Sequence, residues 1–227
     1  MRKFLIDTDT ASDDAVALIM AHNWADIEIL GITIVNGNVP VKQGALNALY
    51  TTELCQKSTP IFLGCSQPIL RKSEYSYWFH GANGMGNINI PLTEIKPQKK
   101  HAIDAIVDII KANPHEITLV TLGPLTNIAI AISRSPEITK LVKRCIIMGG
   151  AVNTIGNVTP AAEYNMWVDP EAAKIVFHSG MPIEMVGWEL SRKEAALTSD
   201  EIEKIKKIPT QLAQFAIECN QTAIDAS

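Results

Sequence analysis

The 227-residue sequence has only four cysteines, no run of 18 apolar residues and no stripe of basic residues. The cysteines form no CxxC pair and have no zinc-type spacing with histidine, so we expect free thiols in a cytoplasmic protein. Without a long apolar run or a signal-peptide core at MRKFLIDTDT, we expect no membrane span. The 20 Lys and Arg residues are outnumbered by 24 Asp and Glu residues, and nucleic acid is therefore not an expected partner.

The composition is that of a folded globular protein. Apolar residues make up 47% of the chain and charged residues 19%, which excludes disordered, collagen-like and coiled-coil proteins. No low-complexity linker or change of composition divides the sequence. We therefore expect residues 1–227 to form a single domain.

Short apolar runs alternate with amphipathic stretches along most of the chain. The strand-like runs are FLID, EILGITIV, PIFLG, ITLVTL, VKRCIIMGG and IEMVGW. The helix-like stretches between them are DDAVALIMAHNW, VKQGALNALYTTELC, AIDAIVDIIKA, LTNIAIAIS and PEAAKIVFHSG. This alternation predicts βαβ units with a sheet buried on both faces. The fold class is therefore α/β, with three layers (αβα) and a mostly parallel central sheet.

Two segments lack this periodicity. Residues 66–98 are rich in Gly, Pro and aromatic residues, and residues 149–168 are polar and rich in Gly. Loops of this length in an α/β domain usually bind ligands or cover a site, so we expect residues 66–98 to form a mobile lid. The last part of the chain, from about residue 200, predicts consecutive helices and no further strand.

The sequence FLIDTDTASDD places four carboxylates at the end of the first predicted strand. Asp7 and Asp9 share one face of the strand because side chains alternate. Ser12 is expected to cap the following helix, whose first turn contains Asp13 and Asp14. Ligands of open α/β sheets bind at this edge of the sheet.

Such crowding of negative charge is unfavourable without compensation. Two like charges about 4 Å apart repel by about 4 kcal/mol at an effective dielectric constant of about 20. A helix dipole returns only about 0.3–1 kcal/mol per carboxylate. Either some of these groups are protonated or a divalent cation binds them, and oxygen ligands favour Ca²⁺ or Mg²⁺.

Two other interpretations of this motif are weaker. If the acids merely capped a solvated helix, the positions of Asp13 and Asp14 would be explained. The presence of the pair Asp7 and Asp9 on the strand would not be. Phosphotransferases of the haloacid dehalogenase type also begin with a strand and DxD. Their motif has Thr or Val where this chain has Ala11, and the adjacent Asp pair is foreign to it.

The pattern DTDxxxDD resembles the start of the inosine-uridine nucleoside hydrolases, which are ribonucleoside N-ribohydrolases. Further segments resemble the motifs of this family in the expected order over residues 4–190. They are IVNGN at 34–38, HGANGMG at 80–86, TLVTLGPLTN at 118–127, MGG at 148–150, AEYN at 162–165 and DPEA at 169–172.

The resemblance implies hydrolysis of the N-glycosidic bond of ribonucleosides to ribose and free base, in purine or pyrimidine salvage. It implies one Ca²⁺ held by Asp9, Asp14 and the backbone carbonyl of Leu122. Asp9 would also activate the attacking water, and Asp13 would hold the ribose 2′-hydroxyl. Asp7 is either a further ligand or a carboxylate that accepts hydrogen bonds next to the ligands without contacting the metal.

The same resemblance assigns the substrate site. Its members are Asn38, Asn157, Glu163 and Asn165 around the ribose, Met148 beneath it and His80 as a substrate contact or proton donor. Trp78, in the aromatic cluster with Tyr75 and Tyr77, and Trp188 could stack against the base. A loop asparagine can instead stabilise a turn, and aromatic residues of a lid can pack on one another. If the backbone is extended, Glu163 and Asn165 point into one pocket.

The chain departs from the family pattern at its end. We find no late Asp-Pro dipeptide with a preceding His, the segment that supplies the last metal ligand in the family. The sequence therefore predicts a domain without the C-terminal part of the family fold. A non-catalytic or vestigial nucleoside-binding protein is the alternative. The family also implies a homodimer or homotetramer.

Overall fold

The computed structural model describes residues 1–192 and 195–226. Its centre is a six-stranded sheet with the order β3-β2-β1-β4-β5-β6, in which all neighbouring strands are parallel. The strands are β1 (Arg2–Thr8), β2 (Ile27–Ile34), β3 (Ile61–Leu63), β4 (Ile117–Thr121), β5 (Arg144–Met148) and β6 (Ile183–Val186). The predicted α/β fold with a parallel central sheet is confirmed.

Helices follow and cover the strands, and all five predicted amphipathic stretches contain one. The helices of the described residues are α1 (Ser12–Asn23), α2 (Val41–Leu54), α3 (Tyr77–His80), α4 (Ala102–Ala112), α5 (Thr126–Arg134), α6 (Ile138–Leu141), α7 (Tyr164–Val168), α8 (Pro170–Phe177), α9 (Trp188–Ser191), α10 (Ser199–Lys206), α11 (Gln211–Glu218) and α12 (Gln221–Asp225). No helix among them is long and apolar enough to cross a membrane.

The core lies in two layers, one on each face of the sheet. Leu5 of β1 packs with α4, α5 and α8 on one face, and its neighbour Ile6 packs with α1 and α2 on the other. This division follows from the alternation of side chains along a strand buried on both faces. The three-layer arrangement predicted from the sequence is therefore present.

The sheet order changes direction at β1. The chain runs from β1 to β2 and β3 on one side, and β4 then returns to the other side of β1. The carboxyl ends of the strands meet at one edge, where Asp7 lies opposite Thr33 and Thr121. A crevice forms at such a point because the following chain segments diverge.

The two segments without periodicity lie largely outside regular structure. Residues 66–98 contain the short helix α3, and residues 149–168 lead into α7. After β6, the described residues form only helices, as predicted. Phe215 and Cys219 of this helical part pack against Ala15 of α1 and Met85. The end of the chain is thereby attached to the edge of the sheet where β1 ends.

Candidate active site

A cavity of about 520 Å³ opens at the carboxyl edge of the sheet. Eleven of the predicted site residues line it: Asp13, Asp14, Asn38, Trp78, His80, Leu122, Met148, Asn157, Glu163, Asn165 and Trp188. They come from segments distributed along most of the chain. The predicted residues therefore converge on one pocket large enough for a small organic molecule.

The carboxylate floor is formed by Asp7, Asp9 and Asp14, of which Asp14 lines the cavity and the other two do not. Asp9 is fully buried, and its Oδ2 accepts a hydrogen bond from the backbone N–H of Asn38. A Cβ at Gly37 would collide with the Asp9 carboxylate, so only glycine allows this close approach. Asp14 Oδ2 accepts a hydrogen bond of 2.7 Å from the Thr8 hydroxyl.

The second oxygen of Asp9 has no hydrogen-bond partner although it is buried. A Cβ added to Gly123 would lie 2.9 Å from this Oδ1, which places the turn after Leu122 beside it. A buried carboxylate oxygen without a partner is costly, and a bound cation would remove that cost. The donor set of two carboxylates and a nearby carbonyl fits a hard cation such as Ca²⁺.

Burial raises the pKa of Asp9 and raises that of Asp14 well above its usual value. The neighbouring charges of Asp9 and Asp13 add to the effect on Asp14. Within the described residues, no three His, Cys, Asp or Glu side chains are placed to hold a metal by themselves. A cation at this place would therefore need further oxygen ligands besides the carboxylates, such as a backbone carbonyl.

Asp7 lies away from the cavity wall. Its Oδ2 accepts hydrogen bonds from the Thr33 hydroxyl at 2.5 Å and from Asn127 Nδ2 at 2.8 Å. Its Oδ1 has no partner, and burial raises its pKa to about 7. This position favours the interpretation that Asp7 accepts hydrogen bonds next to the metal ligands, rather than being a ligand itself.

A set of amides and Met148 surrounds the middle of the cavity. Asn165 Nδ2 donates to the Leu122 carbonyl at 2.8 Å and to the Met148 carbonyl at 3.2 Å. The Asn38 Oδ1 accepts a hydrogen bond from the Ser76 hydroxyl. Asn165 thus fixes the same carbonyl that the proposed metal site needs.

Glu163 and Asn157 have local partners that the sequence did not suggest. Glu163 caps α7 and accepts hydrogen bonds from the N–H groups of Gly150, Asn165 and Met166. Asn157 Oδ1 accepts from the Tyr164 N–H at 2.9 Å. Glu163 is extended, but Asn165 lies in α7, which begins at Tyr164, so the extended backbone considered for the pair is not present. Both side chains still line the cavity, but part of their hydrogen-bonding capacity is used within the loop.

His80 is buried at the other side of the cavity, where Nδ1 lies 2.9 Å from Ser12 Oγ and 3.9 Å from Asp13 Oδ1. Asp13 is the exposed member of this group, since 64% of its side chain is accessible. The prediction that Ser12 caps α1 is wrong: Ala11 occupies the N-cap position, and no side chain caps this helix. The hydroxyl of Ser12 instead contacts a histidine 68 positions away.

The aromatic rim, formed by Tyr75, Trp78, Trp167 and Trp188, surrounds the opening of the cavity. Trp78 is 73% exposed and contacts Phe79 edge to face. Tyr164, which also lines the cavity, donates from its hydroxyl to the Glu74 carbonyl at 2.6 Å. The sequence analysis did not assign Tyr164 or Trp167 to the site, although Tyr164 lies in the AEYN segment and Trp167 follows that segment by two residues.

Comparison with known proteins agrees with this geometry. The model of the inosine-uridine preferring nucleoside hydrolase family matches residues 4–227. The pyrimidine-specific ribonucleoside hydrolase RihB of Escherichia coli is 39% identical over 207 residues, which are 91% of this chain and 65% of that protein. The chain thus spans about two thirds of this relative.

Solved structures show the same fold. A purine-preferring ribonucleoside hydrolase from Gardnerella vaginalis superimposes with a TM-score of 0.94 and 34% identity, covering 99% of this chain and 72% of that one. A plant nucleoside hydrolase gives a TM-score of 0.94 with 32% identity, covering 98% and 70%. The chain belongs to the inosine-uridine preferring nucleoside hydrolase family.

Proposed function

We propose that this protein hydrolyses the N-glycosidic bond of ribonucleosides, releasing ribose and the free base, with Ca²⁺ in its carboxylate floor. The observation that carries the proposal is the buried, unpartnered Oδ1 of Asp9 next to Asp14 and the turn after Leu122, beside a cavity lined by amides and aromatic rings. Membership of the family supports hydrolysis of nucleosides as the type of reaction.

Asp9, Asp14 and the Leu122 carbonyl would hold the cation. A Ca²⁺ ion held there would lower the pKa of a bound water molecule and so make it a better nucleophile. Burial, and after it the repulsion between neighbouring carboxylates, raises the pKa of Asp9 and of Asp14, and a divalent ion would favour their ionised forms.

The remaining steps belong to side chains of this protein. Asp9 takes a proton from the attacking water, whose oxygen bonds to the anomeric carbon as the glycosidic bond breaks and the sugar gains positive charge. The bonding electrons leave with the base, which takes its proton from solvent. Asp13, exposed at the cavity wall, accepts a hydrogen bond from the 2′-hydroxyl. Asn38 and Asn165 orient the other polar groups of the sugar above Met148, and this orientation lowers the entropic cost of reaching the transition state.

The base is bound at the other end of the cavity. Trp78 and Trp188 offer faces on which a purine or pyrimidine ring can stack. His80, which is buried and lines the cavity 3.9 Å from Asp13, contacts the substrate. The proposal includes nucleobase salvage in the cytoplasm by a homodimer or homotetramer, which rests on the resemblance to the family.

The decisive measurement is the release of ribose as reducing sugar from inosine and from uridine, with Ca²⁺ and after chelation. We expect turnover with Ca²⁺ for at least one of the two and its loss after chelation. Nucleoside binding without turnover in the presence of Ca²⁺ would support the alternative, a non-catalytic nucleoside-binding protein. The two substrates are tested together because the relatives include both pyrimidine-specific and purine-preferring enzymes.

A further inference from the structure

Ser12 and His80 form a contact that the proposed metal and substrate roles do not use. Ser12 is fully buried at the start of α1, and His80 is 7% exposed at the end of α3. Their side chains meet at 2.9 Å between Oγ and Nδ1. This distance is that of a hydrogen bond, in which either atom can donate depending on the position of the ring proton.

The direction of this bond follows from the needs of the serine. The hydroxyl hydrogen of Ser12 requires an acceptor, because a buried donor without one costs about 1–3 kcal/mol. Among the described residues, His80 Nδ1 is the one hydrogen-bond partner of Ser12 Oγ. If Nδ1 carried the proton, that hydroxyl hydrogen would be buried without an acceptor. Asp13 Oδ1, at 3.9 Å from Nδ1, is too far away to take the proton of Nδ1 in a hydrogen bond.

We propose that Ser12 is a positioning residue that donates to Nδ1 of His80 and holds the neutral ring with its proton on Nε2. No described residue hydrogen-bonds to Nε2, and His80 lines the cavity. The Nε2–H group is therefore free to donate to an acceptor atom of a bound molecule. This last step rests on the proposed function, in which that molecule is a ribonucleoside.

This assignment selects one of the two roles open to His80. A neutral ring that lost the Nε2 proton would become an imidazolate anion, a strongly basic species that burial destabilises further. His80 thus donates a hydrogen bond to the nucleoside and keeps its proton throughout the reaction. It does not act as the acid that protonates the departing base.

Both partners are fixed by the end of α11. The Ser12 carbonyl accepts from Asn220 Nδ2 at 3.3 Å and from Cys219 Sγ at 3.7 Å. The His80 carbonyl accepts from the Gly86 N–H at 2.9 Å. Gly86, with φ of +59°, lies so close to the Glu218 and Cys219 carbonyls that an added Cβ would be within 3 Å of both. The distance between Ser12 and His80 is therefore set by tightly packed backbone.

The tautomer is measured directly by long-range ¹H–¹⁵N correlation spectra of the protein labelled with ¹⁵N-histidine. The pH is raised until the ¹⁵N shifts show neutral rings, and His80→Gln assigns the His80 signals. In the unmodified protein we expect the Nε2–H form of His80 and a hydrogen-bonded Nδ1. A predominant Nδ1–H form would overturn the proposal, and this result requires no variant to fold.

Ser12→Ala should let both tautomers of His80 appear, whereas Ser12→Thr, which keeps the hydroxyl, should retain the Nε2–H form. Ser133→Ala is the matched control, since Ser133 Oγ donates to the Ala129 carbonyl on a distant helix. An unchanged tautomer ratio in Ser12→Ala would contradict the assignment of Ser12.

The kinetic counterpart is a fall in kcat/KM for a nucleoside of about 3- to 10-fold in Ser12→Ala, the effect of a weakened hydrogen bond. Ser12→Thr should restore it, and Ser133→Ala should not change it. If the unmodified protein hydrolyses no nucleoside, the proposed function fails, but the spectra still decide the role of Ser12. An unaltered kcat/KM in Ser12→Ala with a changed tautomer would show that Nε2–H does not contact the substrate.

Discussion

The two ends of the cavity differ in how their side chains are held. In the carboxylate floor, Asp7, Asp9 and Asp14 are almost completely inaccessible, and each accepts hydrogen bonds from fixed neighbours. In the aromatic rim, Trp78 is 73% exposed and packs mainly against the ring next to it in the sequence. The floor side chains are thus held by several hydrogen bonds, whereas Trp78 of the rim is held mainly by its contact with one ring.

This difference has an energetic basis. Charged groups removed from water are stable only with partners in defined positions, so a single change in the floor leaves other groups unpaired. An exposed aromatic ring needs no buried hydrogen-bond partner, so replacing it leaves no group unpaired and removes only contact area. We therefore expect large effects on chemistry and stability from the floor and small effects on binding from the rim.

The largest effect is expected for Asp9→Asn. The change removes both the proposed base and a metal ligand, so turnover should fall at least about 100-fold. Ca²⁺ affinity should fall about 10- to 100-fold, as measured by calorimetry. Asp26→Asn, which alters an exposed carboxylate paired with Arg2, is the control and should leave both values unchanged. Unaltered Ca²⁺ affinity in Asp9→Asn would place the cation elsewhere.

The sugar contact between floor and rim is tested with 2′-deoxyinosine. Loss of the 2′-hydroxyl leaves Asp13 and its neighbours without their partner, and kcat/KM should be lower than for inosine by at least about 100-fold. Asp13→Asn should reduce this discrimination more than it reduces thermal stability, because Asp13 is largely exposed. Equal rates for the two nucleosides would be incompatible with the assigned role.

The floor also predicts a dependence of stability on pH. Since the pKa of Asp7 is about 7 in the folded protein and 3.8 is its usual value, the folded state holds a proton that the unfolded chain has lost. The free energy of unfolding should therefore decrease as pH rises from about 4 to about 7, and this carboxyl contributes up to about 4 kcal/mol.

Asp7→Asn should flatten that part of the curve. The measurement is denaturant unfolding of the protein with chelator present, at several pH values, with Asp26→Asn as the control. The contribution of Asp7 is the difference between the two variants in how the free energy of unfolding changes with pH. Asp9 and Asp14 also make this free energy depend on pH, but they do so in both variants. Parallel curves for Asp7→Asn and Asp26→Asn would show that Asp7 is ionised in the folded protein.

The smallest effect is expected at the rim. Trp78→Ala should raise KM for nucleosides about 2- to 10-fold through lost stacking and leave kcat nearly unchanged. Its unfolding free energy should stay within about 0.5 kcal/mol of the unmodified protein because the side chain is exposed. A loss of kcat comparable with that of Asp9→Asn would remove the contrast between floor and rim.

Much of this arrangement could be predicted from local sequence. The six strands and the helices between them follow from hydrophobic periodicity, which acts over a few residues. The motif at Asp7–Asp14 indicates a charged site because four acids so close together need compensation. Most of the cavity-lining residues were found through motifs of the family, and their convergence requires only a parallel sheet with a common carboxyl edge.

Other features depend on contacts that have no local signature. Glu163 has the sequence neighbours of a sugar ligand, yet its carboxylate caps α7 because three backbone N–H groups converge on it. Ser12 has the residue type and position of a helix cap, but its hydroxyl bonds to His80. In each case two groups compete for one side chain, and their distance in the folded protein decides between them.

By itself, the sequence determined the α/β architecture, the carboxylate cluster at the end of β1 and the chemical nature of the residues around it. These depend on the periodicity of side chains and on charge, which are properties of short segments. Only the tertiary structure decided which oxygen of Asp9 stays without a partner, which atom Ser12 binds, and that Cys219 and Asn220 hold the Ser12 carbonyl from the far end of the chain. Such contacts join residues up to 208 positions apart. Their geometry results from the packing of the entire domain, because no local interaction fixes distances between segments so far apart in sequence.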